Sequence, residues 1–134
     1  MLLNLLSKEE KNYFVDLLRK MLAIDGPSNE LEKIVFAKLQ TEMGEDINKF
    51  RFSTLTTEKL IEYFAGKSKG VKNIVYYNLF YASLIDDFYS VEEHLLLEQI
   101  QAQFDISNKT KIELCKAVYE ERDLKEKVKR LVIE

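Results

Sequence analysis

The chain has 134 residues, of which 46% are hydrophobic and 32% charged, with a formal net charge of -3. That length suits one domain able to bury about two thirds of its unfolded surface, and the balance of apolar and charged residues excludes a disordered or fibrous chain. One Pro, four Gly and a single Cys exclude a loop-rich β fold and a disulfide scaffold, and the acidic balance excludes the broad positive footprint of a nucleic-acid binder.

The first ten residues are apolar at the start but carry no basic leader and no stretch long enough for a membrane span, so the chain is expected to be cytoplasmic. Ser7 followed by Glu10 is a capping box, in which the hydroxyl accepts an amide of the first turn and the carboxylate returns to the cap amide. Tyr13, Phe14, Leu17, Leu18, Met21 and Leu22 then recur at steps of three and four, predicting an amphipathic helix over residues 8–24 that Gly26-Pro27 ends. Ser28 is placed to cap a second helix whose buried stripe is Leu31, Ile34, Val35, Leu39 and Met43, with Gly44 as its stop. Residues 45–56 lose the period and read as an irregular connector. A short helix over 57–65 faces Leu60, Ile61 and Phe64 inward, and the polar hinge GKSKG follows.

From Val71 a helix carries Ile74, Val75, Asn78, Leu79, Ala82 and Ile85, with Tyr76, Tyr77, Phe80 and Tyr81 filling the remaining faces. A helix apolar nearly all round belongs at the centre of a bundle, so core packing is the stronger reading of this aromatic run and a partner groove the weaker. Ser90 and Glu93 repeat the capping signature before a helix ending at Phe104. Ser107 or Asn108 caps the next, through Ile112, Cys115, Val118 and Tyr119, and Asp123 with Glu126 marks the start of a last one through Leu124, Val128, Leu131 and Val132. Cys115, with no His near it in sequence, reads as a core thiol. The basic clusters at 67–72 and 125–130 read as solvated faces. The expected class is all-α, a single-domain bundle of about seven helices occupying residues 1–134.

Two corners of the chain match. Asp25 is followed after six residues by Glu32, and Asp86 after six residues by Glu93; each Asp closes one helix and each Glu opens the next. At an offset of 61, Lys11-Asn12 meets Lys72-Asn73, Leu18 meets Leu79, Ile24-Asp25 meets Ile85-Asp86 and Leu39 meets Ile100. Polar positions agree as well as apolar ones, which periodicity alone would not arrange. The spacing points to a duplicated helical hairpin, repeat one over about 7–44 and repeat two over about 68–105, with C-terminal helices over about 107–133.

At these residues the chain resembles the tellurite-resistance TerB-like family of small helical domains built as a pseudo-twofold repeat, with an Asp-Gly corner and a Glu on the next helix. Asp25-Gly26 with Glu32 fits that pattern; the second corner keeps Asp86 and Glu93 but has Asp87 in place of the Gly. The resemblance implies a metal-linked stress-response and interaction module.

The chemistry of the corners is that of hard oxygen donors. Asp25, Glu32, Asp86 and Glu93, if brought together, would suit a divalent cation such as Ca, Mg or Mn rather than Zn, and a cation would relieve their mutual repulsion. The competing reading makes them helix punctuation by capping and dipole effects. The loop after Asp25 is not an EF-hand, because its sixth position lacks Gly and its twelfth is Phe36. His94, the only imidazole, reads as a surface or capping residue. No nucleophile with its base and no phosphate-binding Gly loop is marked. The expected function is a non-enzymatic module with a protein partner, with no nucleic acid, no membrane span and no small-molecule substrate. A purely structural interaction domain is the alternative, and a metal-dependent hydrolase ranks last.

Overall fold

A computed structural model describes residues 1–24, 29–44, 50, 53–85 and 90–133, with side chains of the second helix described from residue 33. Among the described residues the chain is all-helical. A short 3-10 turn, Leu3–Leu5, precedes α1 Lys8–Leu22, α2 Asn29–Met43, α3 Thr57–Ala65, α4 Lys69–Ile85, α5 Val91–Gln103 and α6 Asn108–Ile133.

The helix starts follow their capping chemistry. At α1 the Glu10 amide donates to Ser7 Oγ at 3.1 Å and the Ser7 amide to Glu10 Oε1 at 2.8 Å, so two amides that lie beyond the helical ladder are both satisfied. Thr56 caps α3 through the Lys59 amide, and Ser107 caps α6 through the Thr110 amide. Gly44 ends α2 at φ +72°, a conformation in which a Cβ would crowd the following carbonyl.

The centre of the bundle is α4. All residues from Val75 to Ser83 are buried, because α1, α3, α5 and α6 each pack against this helix. Phe14, Leu17, Leu18 and Met21 of α1, Leu60, Ile61 and Phe64 of α3, and Leu96, Leu97 and Ile100 of α5 complete the core. Tyr76, Tyr77, Phe80 and Tyr81 lie inside it, so the aromatic run is core. Asn78, which the pattern assigned to the apolar stripe, is fully enclosed; its amide donates to the Ile74 and Met1 carbonyls at 2.8 and 2.9 Å, which removes the cost of burying it. Asp16 is likewise buried in α1 and accepts the backbone and hydroxyl protons of Ser53, tying the residues before α3 onto the first helix.

Three expectations need correction. Residues 108–133 form one helix of 26 residues, so the described residues hold six α-helices rather than about seven. Asp123 and Glu126, read as the start of a new helix, lie in mid-helix four residues before Lys127 and Arg130; this is the spacing of side chains on one helical face, and no Gly or Pro interrupts the run. Ile34, assigned to the buried stripe of α2, is half exposed at 52%. Cys115 is only partly buried, with Ile112 and Tyr119 of its stripe on the outside and Val118 taking the core position; burial pushes its thiol up, against the lowering effects of Tyr76 and Lys111.

Candidate functional site

Of the four carboxylates expected to converge, Asp25 and Asp86 lie outside the described residues, as does the Glu32 side chain. Glu93 is described. It stands third in α5 and is 3% exposed, its amide donating to Ser90 Oγ at 3.1 Å while the Ser90 hydroxyl lies 3.3 Å from its carboxylate. That geometry is the helix-start role anticipated for the pair. Among the described residues no group of three His, Cys, Asp or Glu side chains is placed to hold a metal ion. His94 sits on the surface with Nε2 3.0 Å from Glu98, one turn along α5.

The most concentrated ionisable chemistry among the described residues lies elsewhere, where α6 crosses α4. Tyr77 and Tyr81 stand one turn apart on α4, and Glu121 and Lys125 one turn apart on α6. Glu121 is 7% exposed and accepts the Tyr77 hydroxyl proton on one oxygen; its other, enclosed oxygen has Lys125 Nζ at 2.9 Å as counter-ion. Lys125 Nζ also donates to the Tyr81 hydroxyl at 3.1 Å, lies 4.9 Å from that ring's centroid, and stands 3.8 Å from Glu42 of α2. Glu42 in turn accepts from the Met1 amine at 2.7 Å. The network joins α2, α4, α6 and the start of the chain.

The shifts within it differ in direction, but each favours the ordinary charge state of its group. Burial alone would raise the Glu121 carboxyl, but donation from Tyr77 and the charge of Lys125 outweigh it and hold the group below the usual carboxylate range. Burial, followed by the hydrogen bond to Glu121, pushes the Tyr77 hydroxyl well above its ordinary value. Lys125 is likewise raised, since Glu121 and Tyr81 outweigh its own desolvation. Each group is fixed in its ordinary charge state: a carboxylate with no proton to give, a phenol and an ammonium that hold theirs. Such a set clamps two helices and is poorly matched to acid, base or nucleophile work near neutrality. Sequence reasoning passed over it: i, i+4 spacing shows which side chains share a helical face, and only the packing of α6 on α4 sets the two faces against each other.

Beside the clamp a groove of about 310 Å³ opens between α2, α4 and α6. Leu84 and Ile85 form its apolar part, and Lys38, Arg122 and Lys125 face it together with Glu126. Beyond the clamp α6 leaves the bundle. Glu121 is its last buried residue, and every position from 122 to 133 is exposed, including Leu124 at 59%, Val128 at 47% and Leu131 at 71%. At 1.5 Å per residue this arm runs for about 18 Å. No described helix is long and apolar enough to cross a membrane.

Comparison with protein-family models, with curated proteins and with solved structures returns no match to this chain.

Proposed function

We propose that the chain is a non-enzymatic helical interaction module of the TerB-like kind, docking a protein partner in a stress response and taking up a divalent cation at its acidic corners. The observation that carries the docking role is the free half of α6. Leu124, Val128 and Leu131 form an apolar line that none of the described residues buries, and such an exposed line is a recognition surface or an aggregation hazard. The charge states held at the clamp agree with a structural rather than a catalytic role for its residues.

Support for the duplicated hairpin comes from helix boundaries and burial. Moving α1 and α2 along by 61 residues carries their starts to residues 69 and 90, against Lys69 and Val91 for α4 and α5. The same shift pairs the core residues Leu18 with Leu79, Val35 with Leu96 and Leu39 with Ile100. Support for a cation rests on the repeated spacing of Asp25 with Glu32 and Asp86 with Glu93, and on an all-oxygen donor set suited to Ca, Mg or Mn.

One experiment addresses both components: thermal unfolding with each cation against chelator, on the parent and on an Asp25→Asn, Asp86→Asn double variant, followed by partner binding in the same buffers. A cation present at about 100 times its dissociation constant adds about 2.7 kcal/mol, a midpoint rise on the order of 8 to 13 °C for a domain this size. A rise in the parent alone supports the cation role. No rise with any ion removes it and leaves an interaction domain whose corners are helix punctuation.

A further inference from the structure

We infer that the free half of α6 is built to receive an acidic amphipathic helix of a partner chain. The inference rests on the docking role proposed above and specifies what docks. Residues 122–133 hold five of the chain's 20 cations but two of its 23 carboxylates, so a basic arm projects from a protein that is otherwise strongly acidic. At 100° per residue, Lys127 and Arg130 lie on one side of the line formed by Leu124, Val128 and Leu131, and Lys125 and Lys129 lie on the other. The groove faced by Lys38 and Arg122 extends the cationic edge at the root of the arm.

Spacing selects the shape of the partner and charge selects its sign. Steps of four and three with Leu, Val and Leu make the narrow seam by which two helices interlock. Lys125 is held in the clamp, so the border cations that seek carboxylates of the second helix are Lys127 and Arg130 on one side and Lys129 on the other. Two arms of this same chain meeting side by side would bring Lys127, Lys129 and Arg130 against their own copies, so like-with-like pairing is opposed. Val132 adjoins this seam on the Lys125 side, yet four aliphatic side chains without an aromatic among them give a helix lying on a membrane little to bury.

The test uses the full chain and a fluorescein-labelled synthetic peptide of three heptads, with Leu at the seam positions and Glu at every flanking one; its own carboxylates keep it from pairing with itself. Two companion peptides carry Gln or Lys at the flanks, and anisotropy is read at about 0.1 M and 1 M salt, where screening lengths are roughly 10 and 3 Å. The acidic peptide is expected to bind about tenfold more tightly than the Gln peptide at the lower salt, with the margin lost at the higher. Val128→Asp is expected to abolish binding at an unchanged unfolding midpoint, and Lys127→Glu with Lys129→Glu to transfer preference to the Lys peptide. Equal binding of the Glu and Gln peptides overturns the acidic partner while leaving the docking role standing. Indifference to Val128→Asp, or binding of none of the peptides, overturns both. Adsorption of the parent to vesicles of anionic lipid without peptide binding assigns the arm to a membrane surface instead. A concentration-dependent dimer in sedimentation that Val128→Asp dissolves assigns it to a second copy.

Discussion

Gly44 and Gly66 both follow a helix, yet they answer to different constraints. Gly44 sits at φ +72° with open space around the position a Cβ would take, so an alanine there meets no neighbour and the whole cost is backbone strain. Gly66 has φ -82° and its nearest potential contacts are carbonyl oxygens at 3.7 and 4.0 Å, which any L-residue accommodates. Gly44→Ala is therefore expected to lower stability by about 1 to 2 kcal/mol, whereas Gly66→Ala is expected to be neutral or to gain about 0.4 to 1 kcal/mol by restricting the unfolded chain. Urea unfolding of the two variants beside the parent separates them, and an equal loss in both would show that Gly44 does not need its left-handed conformation.

At the scale of elements, what was legible in the sequence was what local chemistry decides. Ser7, Ser90 and Ser107 announce helix starts through hydroxyls that accept an early amide, and the described helices begin beside them. The aromatic faces of α4 announce its central place, since a helix without a polar side has to be enclosed. What was not legible was the reach of α6. A carboxylate that precedes a lysine by four residues has the same composition whether it caps a new helix or decorates an existing one, and only packing distinguishes the two. Glu121 and Lys125 became a clamp because α4 presents Tyr77 and Tyr81 to them; an acid on an exposed helix reads identically. The proposed cation corners remain an inference from spacing, apart from the helix-start geometry of Glu93. The division within α6 has a dynamic consequence. A half-helix whose described contacts with the bundle are confined to its root, around Lys125, relies on propagation from its packed half and on charge pairs worth roughly 0.2 to 0.5 kcal/mol each. Amide exchange is therefore expected to be fast from about residue 123 onward, slower through 112–121 and slowest in the centre of α4. Uniform protection along α6 would mean that something covers the arm in solution.

Across the whole molecule, the clamp makes stability depend on pH at both ends of the scale. Glu121 is held below its ordinary value of 4.5, so the folded state binds fewer protons there than the unfolded chain; its contribution is complete above that value and is lost as pH falls through the folded one. Tyr77 and Lys125 are raised above their ordinary values of 10.0 and 10.5, so the folded state keeps protons the unfolded chain gives up. Their contribution is complete below about pH 10 and declines as pH rises beyond it. Between those limits the clamp should contribute a constant amount. Glu121→Gln removes the charge at nearly constant shape and leaves Lys125 half exposed to water, for a loss of about 1 to 3 kcal/mol near neutrality. Unfolding midpoints of parent and variant, measured from about pH 3 to pH 11, should run parallel through the middle of that range. They should converge at the acid end, where the parent's carboxylate takes up its proton and the two side chains become alike. The alkaline end tests the partner groups, because in the variant neither the tyrosine nor the lysine faces a carboxylate at position 121 and both should titrate nearer their ordinary values. A gap that stays constant down to the lowest pH would show that Glu121 acts through its shape and not its charge, and the α4 to α6 contact would then rest on packing, with Val118 at its centre and the Phe80 and Tyr119 rings beside it.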